Sequence, residues 1–497
     1  MFFKKKSNVI FRNFKSFGYV TDNRNFGYKR LNDNRKDIGD KILSESGAVF
    51  LSVLSKKAQA IDELSKKINK IYPDIDIASI KNDAQEFYLD LEKDGFIISG
   101  KTLEECDEKD EKFSYTNILE SNLETNPNNI SYFENERSTQ DFLREYFNDK
   151  PQLTSLHVEI TSKCNERCIH CYIPHENKIS HINPDLFYSI LNQAIKMNLL
   201  HITLSGGEPM LHDNFCDFLA KCRENEFSVS VLSNLTLLND QILEEMKANP
   251  LLGIQVSLYS MDSNIHDEIT AIKGSFEKTK KAILKLIENN IPLKISCPIL
   301  KQNKHCYHDV IKWAKEHKIS VGNDYVIIAK YNHSTQNLNH RLSIDEVEDV
   351  MNDIAKNDTE YMVQMDREVE EKQNMSENDF VCSVCLSSMC IADNGNVYPC
   401  AGWQDYIVGN IKNTPLKEIW DHAEKVNYLR NLRKKDFPQC LKCSDRNFCT
   451  MCMVRNANED PQGNPLSVNS FFCKTAKINR IMMDKWKKEI NNEKCCL

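Results

Sequence analysis

The sequence predicts an α/β protein built on a partial (β/α)6 barrel, with a smaller domain on either side. Six strand-like segments alternate with amphipathic helices between residues 151 and 335. Nine cysteines lie between residues 382 and 473, in a region of short, irregular elements. A hairpin, helices and a strand follow one another within residues 1–100. Alternating strands and helices form parallel sheets whose functional loops gather at the carboxyl ends of the strands.

Length and composition set the broad class of the protein. A chain of 497 residues is too long for one hydrophobic core, and we expect three domains. Hydrophobic residues make up 41% and charged residues 27%, proportions typical of a soluble globular protein. The net charge of -8 argues against nucleic acid as a partner. Because no apolar run suits a signal peptide or a membrane helix, we expect a cytoplasmic protein with no membrane partner.

The N-terminal domain is predicted to be winged-helix-like. Asp, Asn and Gly interrupt two aromatic-rich runs in residues 19–31, which indicates a hairpin. Apolar residues recur at helical spacing in residues 58–72 and again in 80–98, which ends in a short strand. Residues 101–150 are acidic and rich in Asn, which predicts a linker before the barrel domain (151–375).

The cysteine-rich C-terminal domain (376–497) lacks a clear apolar period, so bound metal would have to supply part of its folding energy. A reducing cytosol makes the clustered cysteines candidates for metal binding or catalysis rather than for disulfides. Elsewhere, five isolated cysteines are expected to be buried and inert: Cys106, Cys216, Cys222, Cys297 and Cys306.

Three more cysteines lie in the segment EITSKCNERCIHCYIP (159–174), just past the first predicted barrel strand. They are Cys164, Cys168 and Cys171. A 4Fe-4S cluster has four irons, so three thiolates would leave one iron open to a ligand from elsewhere. An iron with an open coordination position indicates a catalytic cluster. The alternative is a zinc site completed by His170 or His175.

The Cys-x3-Cys-x2-Cys loop, followed by Tyr172, resembles the signature of radical S-adenosylmethionine (radical SAM) enzymes. The segment LSGGEP (204–209) ends the second predicted strand and resembles the family's Gly-Gly-Glu motif, whose backbone binds the methionine ammonium of the cofactor. The resemblance implies that eight residues contact S-adenosylmethionine: Tyr172, Gly206, Gly207, Glu208, Pro209, Ser233, Asn234 and Ser257. It also places residues 326–328, in a predicted sixth strand, near the ribose and adenine. No residue is assigned a catalytic role.

The resemblance also implies a reaction. The open iron would chelate S-adenosylmethionine, and one electron from a reductant such as flavodoxin or ferredoxin would cleave the cofactor to a 5′-deoxyadenosyl radical. That radical abstracts hydrogen from an unactivated carbon, so the protein must exclude water and stray hydrogen donors from the pocket.

The C-terminal cysteines resemble the SPASM extension of radical SAM enzymes, which carries two auxiliary 4Fe-4S clusters. The resemblance implies that one cluster uses Cys440, Cys443, Cys449 and Cys473. The other would use Cys400, Cys452 and two of the three upstream thiols Cys382, Cys385 and Cys390. Nine cysteines therefore compete for eight positions.

The spacing of the last cysteine pair leaves the division of ligands open. Two residues separate Cys449 from Cys452, where the family usually has three. The alternative for this region is a zinc site formed by that pair with Cys440 and Cys443, although the two pairs lie closer together than in zinc ribbons. The terminal Cys495 and Cys496 are assigned no role.

SPASM-bearing radical SAM enzymes mostly modify peptides and proteins, and the N-terminal domain resembles domains that capture leader peptides. The resemblance therefore implies a maturase for a ribosomally synthesised, Cys-containing precursor peptide whose leader adds a strand to the N-terminal hairpin. The most specific hypothesis is a thioether crosslink of the sactipeptide or ranthipeptide type. Carbon-carbon crosslinking, peptide epimerisation and anaerobic sulfatase maturation are alternatives within the family. Outside it, the alternative is a non-enzymatic iron-sulfur or zinc protein that relays electrons or binds a partner.

Overall fold

The computed structural model describes residues 1–22, 39–110, 147, 150–373 and 376–495. Most of the predicted hairpin at 19–31 and most of the predicted linker at 101–150 lie outside these residues. The strands are β1 (Phe2–Lys5), β2 (Ile10–Asn13), β3 (Gly18–Thr21), β4 (Asp40–Leu43), β5 (Gln59–Ala60), β6 (Ile97–Gly100), β7 (Ser155–Thr161), β8 (His201–Gly206), β9 (Ser228–Ser233), β10 (Gly253–Ser257), β11 (Leu293–Pro298), β12 (Ser320–Asp324), β13 (Ser388–Ile391), β14 (Asn396–Tyr398) and β15 (Gly409–Asn410).

Helices precede, separate and follow these strands along the chain. They are α1 (Glu45–Ser52), α2 (Ile61–Asn69), α3 (Ile77–Lys93), α4 (Leu103–Lys109), α5 (Pro184–Lys196), α6 (Phe215–Glu224), α7 (Asp240–Ala248), α8 (Ser263–Thr270), α9 (Ser275–Glu288), α10 (Tyr307–Glu316), α11 (Ile344–Asn357), α12 (Thr359–Gln373), α13 (Leu416–His422), α14 (Glu424–Asn431), α15 (Pro438–Leu441), α16 (Met453–Glu459) and α17 (Ser470–Cys495).

A nine-stranded sheet forms the centre of the molecule, in the order β12-β11-β10-β9-β8-β7-β13-β14-β15. Strands β7 to β12 are parallel and alternate with helices, which confirms the predicted partial (β/α)6 barrel. The predicted sixth strand was misplaced, because β12 ends at Asp324 and residues 326–328 follow it as irregular backbone.

Helix α5 shows why the segments between strands become helices. The side chain of Asn183 accepts a hydrogen bond from the backbone N–H of Asp185, and Pro184 occupies the first helical turn. The helix then buries apolar residues at helical spacing, including Phe187 and Ile190, in the core that the sheet shares with its outer helices.

The strands alternate between an apolar and a polar face. On β7, Leu156 and Val158 lie in the apolar core, so His157 and Glu159 lie on the other side of the sheet. Register carries this polar face across the sheet to the exposed Gln255 on β10, which lies opposite Lys294 on β11. We call the space that this polar face lines the lumen.

The C-terminal domain extends the barrel sheet. Strand β13 pairs in parallel with β7, with Cys390 opposite His157. Strands β14 and β15 continue the sheet in antiparallel fashion. The cysteine-rich domain and the barrel therefore share one sheet.

The N-terminal residues form two three-stranded sheets, β5-β1-β6 and β2-β3-β4, and helices α2 and α3 share a buried core with the strands. Helix α4 packs against β1 and β6, and Lys4 pairs there with Asp107 and Asp110. The described N-terminal unit therefore continues to Asp110, while its winged-helix-like class stays a prediction.

Basic side chains join the N-terminal unit to the barrel. Lys5 pairs with Glu226 at 2.8 Å, just beyond the end of α6. Arg12 on β2 donates from Nε to the carbonyl of Leu199 at 2.6 Å and from Nη2 to the carbonyl of Glu226 at 2.7 Å. We call this contact the seam.

Among the described residues, every helix is too short or too polar to cross a membrane.

Candidate active site

The three cysteines of the first motif lie on the loop between β7 and α5, at the carboxyl end of the barrel strands. All three are half-buried. Burial raises the pKa of the Cys164 thiol to about 11, so its thiolate needs a cationic partner. Burial raises the pKa of the Cys168 thiol, and the charges of its electrostatic neighbours, the nearby thiols of Cys171 and Cys164, raise it further. The loop therefore brings three sulfur donors together, as the spacing predicts.

Backbone hydrogen bonds hold this loop against the Gly-Gly-Glu segment at the end of β8. The N–H of Gly207 donates to the carbonyl of Thr161 at 2.8 Å, and the N–H of Glu208 donates to the carbonyl of Lys163 at 2.8 Å. The β7–β8 register shifts between Glu159 and Thr161, which redirects the chain into the loop. The two motifs are thus one structural unit.

The glycines are required by this close approach. A Cβ on Gly206 would lie 1.9 Å from the Thr161 carbonyl oxygen, and the residue adopts a φ of +133°. A Cβ on Gly207 would lie 2.1 Å from the Lys163 carbonyl oxygen. Only a residue without a side chain can bring the two strand ends so close together.

The carboxylate of Glu208 connects the second and third strands. Its Oε1 accepts from the Met210 N–H at 3.0 Å and from the Ser233 hydroxyl at 2.8 Å, and its Oε2 accepts from the Asn234 N–H at 2.7 Å. Burial raises the pKa of Glu208 to about 7, although these hydrogen bonds act to lower that pKa. Pro209 begins the short 3-10 turn that follows. The side chain of Glu208 therefore shapes the site, whereas its backbone holds the cysteine loop.

The remaining predicted contacts lie around the same loop. Ser257 ends β10 and hydrogen-bonds to Tyr259, whose hydroxyl also lies 2.9 Å from Nε2 of His170. That bond engages one of the two imidazoles, His170 or His175, that the zinc alternative would use. Tyr172 is half-buried, and Cys171 and Glu159 are among its electrostatic neighbours.

Two loop residues were missed by the sequence reasoning, although both lie between the first two cysteines. Asn165 donates to the hydroxyl of Thr236 at 2.6 Å and accepts from Nδ2 of Asn234 at 2.9 Å. Glu166 is only 3% exposed, and its Oε1 is unpartnered among the described residues. A polar residue pair inside a cysteine loop was the available signal.

These residues fit an iron-sulfur cluster that binds S-adenosylmethionine. The donor set is three thiols from one loop, and the orphaned oxygen of Glu166 offers a buried acceptor to a cationic group.

The C-terminal cysteines separate into two groups. In the first, the Cys382 thiol has those of Cys452 and Cys400 as electrostatic neighbours. Cys385 neighbours Cys382 and Cys400, and burial raises its pKa to about 12.

In the second group, Cys449 has Cys473, Cys440 and Cys443 as neighbours. Burial raises the pKa of Cys449 to about 11. These four cysteines are the set that the resemblance implied for one auxiliary cluster.

Comparison with known families agrees with both cysteine regions. The sequence model of the radical SAM superfamily matches residues 158–314. The model of the SPASM iron-sulfur cluster-binding domain matches residues 382–444. The chain is a radical SAM enzyme. Its SPASM domain is the one that extends the barrel sheet through β13.

Relatives of this radical SAM enzyme have diverse names. The AdoMet-dependent heme synthase of Nitratidesulfovibrio vulgaris is 23% identical over 327 residues, which cover 60% of this chain and 87% of the relative. The antilisterial bacteriocin subtilosin biosynthesis protein AlbA of Bacillus subtilis is 24% identical over 324 residues, which cover 63% and 70% of the two chains. The enzyme is therefore similar to proteins with different products.

A solved structure resembles nearly the whole radical SAM enzyme. The crystal structure of Streptococcus suis SuiB bound to precursor peptide SuiA has a TM-score of 0.57 and 16% sequence identity, and the match covers 93% of this chain and 98% of that one. The likeness shows the fold. The structural match spans more of this chain than the sequence match to either relative does.

Cys390 lies beside the first group of C-terminal cysteines of the radical SAM enzyme. It is wholly buried on β13, where its neighbours are Glu159 and Cys400. Its sulfur, a nitrogen of His157 and a carboxylate oxygen of Glu159 all lie within 4.8 Å of one another. The sequence could not reveal this grouping, because it depends on β13 pairing with β7.

Proposed function

We propose that this radical SAM enzyme is a cytoplasmic peptide maturase that forms thioether crosslinks from cysteine in a ribosomally synthesised precursor peptide. One observation carries the proposal. The cysteine loop leaves the end of β7, and β13 of the SPASM domain pairs with that same strand. Tyr172 has Cys171 of the loop and Cys400 of the SPASM domain among its neighbours. A substrate in the lumen would contact both regions.

Each part of the loop has a role in this proposal. Cys164, Cys168 and Cys171 hold one 4Fe-4S cluster, and the backbone of Gly206 and Gly207 supports the cofactor beside it. With S-adenosylmethionine bound and one electron from a flavodoxin or ferredoxin, the site supplies a 5′-deoxyadenosyl radical. Ser233, Asn234 and Ser257 complete the wall of the cofactor pocket through the contacts described above.

Two auxiliary 4Fe-4S clusters complete the electron balance. One thioether removes a hydrogen atom from a peptide carbon, and a proton and an electron from a cysteine thiol. The proton would go to solvent, and a cluster held by the C-terminal cysteines would supply an acceptor for the electron. We assign Cys382, Cys385, Cys400 and Cys452 to one cluster, and Cys440, Cys443, Cys449 and Cys473 to the other, on the neighbours found for each thiol.

The N-terminal unit, which continues to Asp110, would bind the leader of the precursor by strand addition. Of the edges of the sheet β2-β3-β4, the β2 edge is engaged by the barrel, because Asn198 donates to the carbonyl of Asn13 at 3.0 Å. That leaves β4 as the edge for the leader. The acidic residues between Asp110 and the barrel would then link this unit to the barrel (151–375) and the SPASM domain (376–497).

A product analysis tests the proposed reaction. The enzyme is reconstituted anaerobically, given S-adenosylmethionine, dithionite and each short Cys-containing peptide encoded in the neighbourhood of its gene as a candidate precursor, and the peptide is examined by tandem mass spectrometry. We expect a loss of two hydrogens per crosslink and protection of the linked cysteine from alkylation. The triple variant C164A/C168A/C171A is the control and should leave the peptide unchanged.

The same experiment separates the alternatives. Loss of two hydrogens with fully alkylatable cysteines would indicate a carbon-carbon crosslink, and deuterium uptake without loss would indicate epimerisation. Formylglycine would indicate sulfatase maturation. A small-molecule product with no peptide change would place the enzyme beside relatives such as the heme synthase.

A further inference from the structure

The cluster of His157, Glu159 and Cys390 lies on the lumen face, outside both auxiliary cysteine groups. His157 and Glu159 are on β7, and Cys390 on β13 lies directly opposite His157, so the pairing of the two strands fixes their relation. Their donor atoms all lie within 4.8 Å of one another. Glu159 is 4% exposed and Cys390 is wholly buried.

The carboxylate of Glu159 indicates a missing partner. Its Oε2 accepts a hydrogen bond from Nε2 of Gln404 at 2.6 Å. Its Oε1 is buried and unpartnered among the described residues. A buried carboxylate oxygen without a hydrogen bond or a cation is costly, so such a group needs an explanation.

The neighbouring groups resemble those that orient metal ligands. Gln404 fixes one oxygen of Glu159 and leaves the other for a ligand bond. The hydroxyl of Ser205 contacts Nε2 of His157, so an ion would use Nδ1 or take the place of Ser205. Hydrogen-bonded partners of this kind are typical of metal sites.

We propose that His157, Glu159 and Cys390 bind one divalent cation of zinc's class. A sulfur, an imidazole nitrogen and a carboxylate oxygen are the donors that zinc uses in proteins. A tetrahedral ion sets such donors roughly 3.3–3.8 Å apart, so the present arrangement needs side-chain shifts on the order of 1 Å to close. Three protein donors leave one position for a small ligand, and His157 is the half-buried member through which a ligand would enter.

This inference does not depend on the peptide substrate, and it assigns the ninth cysteine. Cys390 would bind the divalent ion rather than an auxiliary cluster. Its neighbours support that division, because the thiols of Cys382 and Cys452 neighbour each other and Cys400, whereas Cys390 neighbours only Cys400 among them.

Metal analysis of the holoenzyme tests the site. Wild-type protein, C390S, E159Q and the control C297S are purified anaerobically after incubation with zinc and removal of loose ions by gel filtration. Cys297 is also wholly buried, and its thiol donates a hydrogen bond to the carbonyl of Tyr259. We expect about one zinc in wild type and in C297S, at least a five-fold loss in C390S and E159Q, and about twelve irons in all four.

Three results would overturn the proposal. The first is wild-type protein without zinc, and the second is zinc that C390S and E159Q retain. The third is a loss of about four irons from C390S, which would make Cys390 an auxiliary-cluster ligand. X-ray absorption spectroscopy at the zinc edge, measured on wild-type protein, identifies the donor atoms without relying on the variants. One sulfur with nitrogen and oxygen donors supports the site, whereas four sulfurs would show zinc in a cluster position.

Discussion

At the residue scale, the site depends on two glycines that have no Cβ as well as on its polar side chains. The cysteine loop reaches the end of β8 only because Gly206 and Gly207 have no Cβ, and the backbone N–H groups of Gly207 and Glu208 hold the loop there. Glu208 then fixes the end of β9 with a buried carboxylate. A small change at either place should displace the loop that carries the thiols.

A glycine pair separates steric conflict from backbone strain. Gly206 and Gly274 both have a positive φ, but a Cβ on Gly274 would meet nothing within 4 Å. We expect G206A to weaken binding of S-adenosylmethionine at least ten-fold, and G274A to cost about 1 kcal/mol of stability with little effect on binding. Equilibrium dialysis with the reconstituted proteins measures both. Equal affinities in the two variants would show that the close approach is unimportant.

The hydrogen bonds to Glu208 predict a strong effect of an isosteric change. In E208Q an amide N–H must face one of the three donors, because both carboxylate oxygens accept bonds. We expect the variant to lose roughly 1–3 kcal/mol and to melt at lower temperature than E224Q, a change on the exposed end of α6. Thermal unfolding under anaerobic conditions gives the comparison. The idea fails if the two variants melt together.

At the element scale, strand β13 joins the SPASM domain to the barrel, and the turn after it contacts the cysteine loop. Asp393 accepts from the Ser162 N–H at 3.0 Å and from the Ser180 hydroxyl at 2.6 Å, both through Oδ2. The SPASM domain therefore holds the loop from the side opposite the Gly-Gly-Glu segment. Asp393 is a positioning residue in this arrangement.

Replacing Asp393 should slow the reaction without removing auxiliary iron. D393A loses both acceptor bonds, whereas D393N keeps one oxygen that can accept them. We expect about a ten-fold loss of 5′-deoxyadenosine formation in D393A and near wild-type rates in D393N, at roughly 1.4 kcal/mol per factor of ten. Product chromatography and iron counts provide the measurement. A loss of iron, or no rescue by Asn, would point to a structural role instead.

The seam predicts a second effect at the same scale. Glu226 lies among Lys5, Arg12 and Lys56, and burial together with the charge of Arg223 lowers the pKa of Lys56 to about 7. Removing the acid leaves these cations close together, so we expect E226Q to lower Tm by about 2–4 °C. It should also speed hydrogen exchange in β2. Unchanged exchange would mean that the seam does not depend on this charge.

The sequence and the structure agree where the signal is local. Parallel strands, helix faces and motif spacing predicted the barrel and the placement of Gly206 beside the cysteine loop. The apolar run at 326–328 was taken for a strand, but strand pairing favours Ser320–Asp324, and Ile327 instead packs with Tyr259 and Leu300. Strands of two to four residues such as β13 to β15 have no detectable period, so the shared sheet and the position of Cys390 could not be predicted.

At the scale of the whole molecule, one sheet connects the radical and auxiliary regions, and the N-terminal unit docks on the barrel through the seam. Binding a leader at β4 would place the rest of a precursor on a body in which the barrel and the SPASM domain share one sheet.

Leader binding has its own measurement. Hydrogen exchange with and without a synthetic leader should show slower exchange in β4 (Asp40–Leu43), because added strand pairing protects backbone N–H groups. The edge strand β5 serves as the internal control. Protection confined to other parts of the chain would contradict strand addition at β4.

The most direct test of the central claim compares wild type with C164A/C168A/C171A in one anaerobic assay with S-adenosylmethionine and dithionite. Iron, sulfide and zinc are counted per chain, and 5′-deoxyadenosine is followed by chromatography. We predict about twelve irons in wild type and about eight in the variant, with 5′-deoxyadenosine formed by wild type alone. Cofactor cleavage that persists in the variant, or zinc in place of iron in the wild-type cysteine sites, would contradict the assignment.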